Sequence, residues 1–228
     1  MSTTLLIADD HPLFRSALRA AIGQVLPGAI ALEAESLNAL LAALAEHPET
    51  DLVLLDLRMP GAHGFSSLIQ VRGLYPATPV AIVSAEEEPA LMRRALDFGA
   101  TGFIPKSAGL ALIGTALKVM LEGTVWLPPG IPESGPVEDT EDRELAQRIA
   151  SLTPQQFRVL MALADGRLNK QIGGDLNVTE ATIKAHVTAI LRKLGLFRRT
   201  QAALLAQRLL RAEAGSMVPM LGGGEDED

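Results

Sequence analysis

The sequence of 228 residues predicts an α/β domain with a doubly wound, five-stranded parallel sheet, followed by a small all-α domain. Two observations predict this division. In the first half of the chain, short apolar runs alternate with helix-length segments, which is typical of parallel strands covered on both faces. A stretch rich in Pro and Gly then precedes a basic segment with repeated helix-start signals.

The apolar runs predict the elements of the first domain. Strands are expected near Thr4 to Ala8, Ala29 to Ala34, Leu52 to Leu55, Val80 to Val83 and Gly102 to Ile104. Helices are expected to begin near Pro12, Ser36, Gly64, Pro89 and Ala108. This domain covers residues 1–124, and residues 125–150 are expected to form a linker in which a charged stretch from Thr140 makes one or two helical turns.

Polar side chains stand at the ends of several strand-like runs. Asp9 and Asp10 follow the first run, and Asp56 closes the third. Because the carboxyl ends of parallel strands meet at one edge of a sheet, these carboxylates need a cation between them. Oxygen ligands suit Mg²⁺, which usually bridges to a phosphoryl group. Ser84 and Lys106 end two further runs and should reach the same crevice.

These strand-end residues resemble the signature of a response-regulator receiver domain, which has a flavodoxin-like fold. The matching segments are Ala8-Asp9-Asp10-His11, Leu55-Asp56-Leu57-Arg58-Met59-Pro60-Gly61, Ser84-Ala85 and Phe103-Ile104-Pro105-Lys106-Ser107. The resemblance implies that a histidine kinase phosphorylates Asp56. It also implies that Mg²⁺ is held by Asp9, Asp10, Asp56 and the backbone carbonyl of Arg58.

The same resemblance implies roles for three further residues. Ser84 and Lys106 contact the phosphoryl group, and Phe103 is coupled to the resulting movement. Packing in the core is an equally good explanation of a strand phenylalanine, so both interpretations of Phe103 stay open. Arg58 and Glu86 each lie two residues beyond a site residue, and we hypothesise that a salt bridge between them screens the phosphoryl group from water.

Charge and composition bound the remaining possibilities. The chain carries a net charge of −7, yet residues 151–212 contain ten Lys and Arg against three Asp and Glu. Such a basic segment is the electrostatic footprint of a nucleic-acid binder. The absence of Cys excludes disulfides and thiolate metal sites. No apolar run approaches the roughly 18 residues of a spanning helix and no leader opens the chain, so we expect a soluble, cytoplasmic protein without membrane contacts.

Helix-start signals divide the basic segment into four helices. Residues Thr153 to Gln156 predict a capping box before a helix that ends near Ala164. Further helices are expected from about Asn169 to Leu176, from Glu180 to Leu194 and from Arg198 onward. The third helix has an apolar stripe and, opposite it, a small and cationic face that suits a DNA major groove.

This helix-turn-helix resembles the LuxR-type DNA-binding domain, and the two-domain order resembles that of NarL-type response regulators. The matching segments include Leu152-Thr153-Pro154, Asn169-Lys170-Gln171-Ile172, Thr182-Ile183-Lys184-Ala185-His186-Val187 and Leu191-Arg192-Lys193-Leu194-Gly195-Leu196. We expect contacts to double-stranded DNA from Asn169, Lys170, Thr182, Lys184, Ala185, Thr188, Arg192 and Lys193. An ordinary solvated face is the alternative interpretation of these cations.

Two local features are unusual for such a domain. Gly173 and Gly174 lie within the second helix, where each glycine costs about 1 kcal/mol relative to alanine. The last residues, 213–228, are acidic and rich in Gly, and we expect them to be disordered. Because Gly173 and Gly174 weaken the second helix, we expect DNA binding to depend more strongly on dimerisation than in a domain without them.

Three functions compete on the sequence alone. The favoured one is a two-component regulator, not an enzyme, in which phosphorylation of Asp56 controls dimerisation and sequence-specific DNA binding, with RNA polymerase as a further partner. The second is a DNA-binding protein whose first domain is a phosphorylation-independent dimerisation module. The third, a phosphatase with Asp56 as nucleophile, is disfavoured because no acidic residue stands two positions beyond it.

Overall fold

The computed structural model describes residues 2–60, 64–131 and 140–211. The strands are β1 (Thr4–Ala8), β2 (Ile30–Ala34), β3 (Leu52–Asp56), β4 (Val80–Ser84) and β5 (Gly102–Pro105). The helices among them are α1 (Pro12–Val25), α2 (Leu37–Glu46), α3 (Ser66–Leu74), α4 (Pro89–Asp97) and α5 (Leu110–Leu121). The helices that follow are α6 (Thr140–Ala150), α7 (Pro154–Ala164), α8 (Asn169–Asp175), α9 (Glu180–Leu194) and α10 (Arg199–Arg211).

The five strands form one parallel sheet, as the sequence predicts, and their order is β2-β1-β3-β4-β5. Alternate strand residues face opposite sides, because successive side chains of a strand point to opposite faces. Leu6 and Val53 lie in the core shared with α2, α3 and α4, whereas Leu5 and Leu54 lie in the core shared with α1 and α5. β1, β3, β4 and β5 are therefore buried on both faces, whereas the edge strand β2 is partly exposed.

The free edge of β5 is covered by residues that the sequence assigns to the linker. The Trp126 N–H donates to the Thr101 carbonyl at 3.1 Å, and the Phe103 N–H donates to the Trp126 carbonyl at 3.1 Å. Trp126 is buried in the core formed with α1 and α5. Gly102 permits this pairing, since a Cβ there would lie 2.7 Å from the Trp126 carbonyl oxygen. The packed domain thus extends past residue 124.

The helical domain begins and ends its elements close to the predicted positions. The Gln156 N–H donates to the Thr153 Oγ1 and the Thr153 N–H donates to the Gln156 Oε1, which completes the capping box of α7. The Thr182 N–H donates to the Thr179 Oγ1 at the start of α9. α9 ends at Gly195, whose φ of 69° is the left-handed conformation of a helix C-cap.

The two domains share one hydrophobic core through α3, which local periodicity does not predict. α3 packs against α7 and α10, and α6 packs against α3, α4 and α9. The Phe157 ring of α7 lies directly on the backbone of α3 at Gly73, where a Cβ would come within 2.6 Å of the ring. α6 is three turns long rather than one or two, and it buries Ala146 and Ile149. The predicted tail, 213–228, lies outside the described residues.

The two glycines of α8 differ in their surroundings, which corrects the expectation that both weaken this helix. A Cβ on Gly173 would lie 2.7 Å from the carbonyl oxygen of Val178, within the turn that leads to α9. A Cβ on Gly174 would meet nothing within 4 Å. Gly173 is therefore required by the close approach of the turn, and only Gly174 carries an uncompensated helix-propensity cost.

We expect alanine at these two neighbouring positions to change stability in opposite directions. Gly174→Ala should raise the free energy of unfolding by about 1 kcal/mol, because alanine is the better helix former and finds open space. Gly173→Ala should lower it by about 1 to 3 kcal/mol through the clash with Val178. Chemical denaturation followed by circular dichroism measures both, and stabilisation by Gly173→Ala would contradict the assigned packing.

Candidate functional site

The carboxyl edge of the sheet brings together the polar residues that end the strands. Asp9 and Asp10 follow β1, Asp56 ends β3, Ser84 ends β4 and Lys106 follows β5. Asp9 and Asp56 are buried, with 1% and 3% of their surface exposed. Adjacent pairing of β1 with β3, β3 with β4 and β4 with β5 produces this convergence. The predicted crevice therefore exists, and its carboxylates lie largely out of water.

Lys106 bridges the two buried carboxylates. Its Nζ donates to the Asp56 Oδ2 at 2.8 Å and lies 2.6 Å from the Asp9 Oδ2. The Phe14 ring covers the ammonium group, with 4.8 Å between Nζ and the ring centroid. The Lys106 N–H also donates to the Ser84 carbonyl at 2.7 Å, which fixes the loop after β5 against β4. Phe14 escaped the sequence analysis, because an aromatic residue on an amphipathic helix predicts only core packing.

The pKa shifts of Asp56 and Lys106 explain how the site tolerates buried charges. Burial raises the pKa of Asp56, and the neighbouring charge of Asp9 acts in the same direction, while hydrogen bonds from Lys106 and the Arg58 N–H oppose them. Burial acts to lower the pKa of Lys106, but its contacts with Asp56 and Asp9 outweigh this and raise the pKa. Lys106 is therefore held in its cationic form, while Asp56 is a carboxylate that gains from additional positive charge.

The loop between β1 and α1 gathers further ligand atoms around Asp9. The His11 N–H donates to the Asp9 Oδ1 at 2.8 Å, and the His11 Nδ1 lies 2.8 Å from the Asp10 Oδ1. Possible ligand atoms of Asp9, Asp10, His11 and Asp56 all lie within 4.8 Å of one another. The sequence does not predict that His11 lies near Asp56, because this proximity exists only in the folded sheet.

This cluster fits a divalent cation. The Asp9 Oδ2 and the Asp10 Oδ1 are buried, and among the described residues neither accepts a hydrogen bond of good geometry, although the Lys106 and His11 nitrogens lie close by. Lys106 compensates the charge at the Asp9 Oδ2, whereas the buried Asp10 Oδ1 has the His11 ring beside it, and a buried carboxylate oxygen is costly unless a cation compensates it. The acidic cluster is therefore a site that could hold a metal through Asp9, Asp10 and Asp56, as the sequence predicts.

Two pairs of side chains link the loops around Asp56. Arg58 forms a salt bridge with Glu86, the partner proposed for it from the sequence. The Ser107 Oγ donates to the Glu87 Oε1 at 2.5 Å, joining the loops that follow β4 and β5. The Ser84 Oγ accepts from the Glu86 N–H at 3.1 Å, so the hydroxyl is held at the edge of the crevice.

Phe103 does not reach the crevice surface. Its side chain is fully buried in the core shared by β5, α4 and the second domain. Its backbone N–H is held by Trp126, as described above. A core role is therefore evident in this structure, and its coupling to phosphorylation stays a prediction.

The second domain presents an exposed polar face on α9. Thr182, Lys184, Ala185, Thr188 and Arg192 are exposed on this face. The opposite stripe, with Ile183, Ile190 and Leu194, is buried. The helix therefore has the division of apolar and cationic faces that the sequence predicts, and its outer face is accessible in the described part of the chain.

Several of the residues expected to contact DNA have partners within the domain, and the contacts of two of them join different helices. The Lys193 Nζ donates to the Ser151 carbonyl at 2.6 Å and to the Gln156 Oε1 at 2.9 Å. The Asn169 Oδ1 accepts a hydrogen bond from Arg199. These contacts fasten α9 to the start of α7 and α8 to α10. Lys170 is exposed, and DNA contacts by all three residues stay predictions.

Comparison with protein families matches each domain separately. Residues 5–118 match the response regulator receiver domain, and residues 150–206 match the bacterial regulatory proteins of the luxR family. Among the described residues, each helix falls short of the length and hydropathy needed to cross a membrane. The two matches follow the division into an α/β domain and a helical domain that the fold displays.

Whole-chain comparisons agree with this order of domains. The glycerol metabolism activator of Pseudomonas putida is 42% identical over 207 residues, covering 89% of this chain and 94% of the relative. The nitrate/nitrite response regulator protein NarL of Escherichia coli K12 is 30% identical over 202 residues, covering 88% and 93%. The RcsB response regulator of Salmonella typhimurium has a similar fold, with a TM-score of 0.51 at 22% identity over 90% of this chain and 98% of that one.

The comparisons and the site geometry lead to the same assignment. A receiver domain with an acidic crevice stands before a helix-turn-helix domain with an exposed cationic helix. The two relatives described above, an activator of glycerol metabolism and a nitrate/nitrite response regulator, each match almost nine tenths of the chain. The chain belongs to the NarL/LuxR-type response regulators, the DNA-binding transcription regulators that combine a receiver domain with a LuxR-type helix-turn-helix.

Proposed function

We propose that Asp56 is the phosphoacceptor of this regulator and that its phosphorylation by a histidine kinase controls binding to double-stranded DNA. One observation carries the proposal: the buried Asp56 carboxylate lies beside Asp9 and Asp10 and is bonded to Lys106. A phosphoryl group passes from a kinase phosphohistidine to an Asp56 oxygen as the N–P bond breaks and the O–P bond forms. Asp56 then carries about two negative charges.

The surrounding residues are suited to this transfer. Asp9, Asp10 and Asp56 would hold Mg²⁺, together with the backbone carbonyl of Arg58 that the family resemblance suggests. When bound, the ion would neutralise the charge of the phosphoryl oxygens. Lys106 already carries its proton and can pair with a phosphoryl oxygen. The Ser84 Oγ accepts from the Glu86 N–H, and its own O–H can donate to another phosphoryl oxygen.

The contacts of α3 and α6 offer a path from the crevice to the DNA-binding domain. α4 follows the loop that carries Ser84 and Glu86, and α6 packs against α4, α3 and α9. The Arg148 guanidinium of α6 donates to the Leu194 carbonyl at the end of α9, at 3.4 Å. We therefore expect movement around Ser84 to reach α9 through α6. A coupling of about 1 to 3 kcal/mol is sufficient to shift the balance between packed and released domains.

Release of the second domain would leave it free to form a homodimer. α10 and α7 are engaged by α3 in this structure. The exposed face of α9 is the surface we propose for the major groove. Lys184 and Arg192 on this helix, and Lys170 on α8, would contact phosphates. RNA polymerase is the further partner expected of a transcription regulator.

The domain packing also supports a second candidate function, a regulator whose receiver acts only as a packing or dimerisation module. The two domains pack directly on each other at Gly73 and Phe157, within one hydrophobic core. In that case DNA affinity would not respond to phosphorylation. The two functions differ in one measurable quantity, the change in DNA affinity after acetyl phosphate treatment.

Phosphorylation should depend on one carboxylate. With acetyl phosphate and Mg²⁺, the wild type should gain the mass of one phosphoryl group, and its DNA affinity should change at least about fivefold. Asp56→Asn should gain no mass, because the nucleophilic oxygen is lost, and Asp165→Asn, at an exposed carboxylate in the other domain, should behave as wild type. Phosphorylation without any change in DNA affinity would favour the module function instead.

The Arg58–Glu86 salt bridge should prolong the phosphorylated state. Arg58→Ala and Glu86→Ala should each shorten the phosphoryl half-life by up to about fivefold, because an exposed ion pair of up to about 1 kcal/mol no longer screens the attacking water. Glu88→Ala, at an exposed position of the same acidic run, is the matched control. Intact-protein mass spectrometry over time gives the half-life, and an unchanged value in both variants would remove the screening role.

The contact between Gly73 and Phe157 should hold the two domains together in the unphosphorylated protein. Gly73→Ala places a Cβ within 2.6 Å of the Phe157 ring and should separate the domains, raising DNA affinity without phosphorylation by about fivefold. Gly23→Ala, on α1 with nothing within 4 Å, is the matched control. Fluorescence anisotropy with labelled DNA measures affinity, and small-angle scattering measures the radius of gyration. A compact variant with wild-type affinity would contradict this restraint.

A further inference from the structure

Arg15 has an unusual position for a cation. It lies in the first turn of α1, where the helix dipole disfavours positive charge. Its side chain nevertheless turns inward and is only 13% exposed, whereas Arg19, one turn later, is 62% exposed. A buried guanidinium needs acceptors that compensate its lost hydration. Its partners therefore indicate why it is held there.

Arg15 has two partners, one in the loop that follows β1 and one on β2. Its Nη1 donates to the backbone carbonyl of Asp9 at 2.7 Å, and its Nε donates to the Glu33 Oε2 at 3.1 Å. Glu33 lies on β2, next to Ala34, whose carbonyl accepts from the Asp9 N–H at 3.0 Å. The guanidinium thus ties the end of β1 to β2 at the point where the strand ladder stops.

The Asp9 carbonyl controls the direction of the acidic loop. This carbonyl belongs to the planar peptide group that also contains the Asp10 nitrogen. Holding its oxygen fixes that plane, and with it the direction in which the chain leaves Asp9 and presents the Asp10 side chain. Asp10 lies in the loop beyond the end of β1, and a third of its side chain is exposed. Its placement relative to Asp9 and Asp56 therefore depends on the peptide that Arg15 holds.

We infer that Arg15 is a positioning residue that, oriented by Glu33, sets the affinity of the acidic cluster for its divalent cation. The inference rests on the proposed metal-assisted phosphorylation of Asp56. Arg15 is bonded to the Asp9 backbone carbonyl and to Glu33, so it acts on the geometry of the ligand-bearing loop rather than as a ligand itself. Groups that orient metal ligands from outside typically change metal affinity by about 10- to 100-fold.

The chain supplies a matched control for this role. Arg19 pairs with the other oxygen of the same Glu33, at 3.3 Å, but is exposed and has no bond to the loop in the contacts described. Arg15→Met removes the guanidinium while keeping an apolar stem of similar length. Arg15→Lys can reach one of the two partners but not both, since an ammonium lacks the guanidinium fork. Glu33→Gln leaves Arg15 in place and weakens its orientation.

The experiment titrates full-length protein with Mg²⁺ by calorimetry and measures phosphorylation by acetyl phosphate across Mg²⁺ concentrations. Arg15→Met should raise the Mg²⁺ dissociation constant about tenfold. It should raise the Mg²⁺ concentration for half-maximal phosphorylation by the same factor, while the rate at saturating Mg²⁺ stays within about twofold of wild type. Arg15→Lys should recover part of the affinity, Glu33→Gln should show a smaller loss, and Arg19→Gln should bind Mg²⁺ as wild type does.

The outcomes separate this inference from the proposed function. Wild-type affinity in both Arg15→Met and Glu33→Gln overturns the positioning role and leaves phosphorylation of Asp56 intact. An equal loss in Arg19→Gln also overturns it, because general electrostatics would then explain the effect. If wild type binds no Mg²⁺ and takes no phosphoryl group, the proposed function and this inference both fail. Should Arg15→Met not fold, as judged by circular dichroism, Glu33→Gln and Arg15→Lys decide the question.

Discussion

The contact of one ammonium group with two buried carboxylates is the interaction on which the rest of the crevice depends. Asp9 and Asp56 meet because β1 and β3 are adjacent and parallel, and that order follows from the apolar strands and their crossovers. Burial makes the close approach of these two like charges costly, and Lys106, which follows β5 two strands away from β3, compensates both of them. A site that already balances buried negative charge with a cation is suited to accept further negative charge together with further positive charge.

The strands and the central site residues could be predicted because their signals are local. An apolar run ending in Asp56 or Ser84 specifies both a buried strand and the edge at which its last residue emerges. The caps at Thr153 and Thr179 are equally local and are confirmed by their hydrogen bonds. Apolar periodicity therefore determined the fold class and most of the crevice.

The features that escaped prediction depend on contacts between distant segments. From the sequence, Trp126 is assigned to the linker because Pro128 and Pro129 lie close to it. In the structure, Gly102 leaves the space that allows Trp126 to pair with β5. The sequence predicts that Gly173 weakens α8, and only the close approach of the turn at Val178 explains why glycine is needed there. Phe14 and Arg15 look like ordinary residues of an amphipathic helix, and only the folded sheet brings them to Lys106 and Asp9.

The pairing of Trp126 with β5 has a consequence for observing this molecule. The chain contains a single tryptophan, and its indole is buried beside the strand that carries Phe103. Because the Phe103 N–H is bonded to the carbonyl of that same residue, a displacement of the strand alters the surroundings of the indole. The protein thus contains a built-in optical probe, whose emission spectrum follows the fifth strand in solution without any added label.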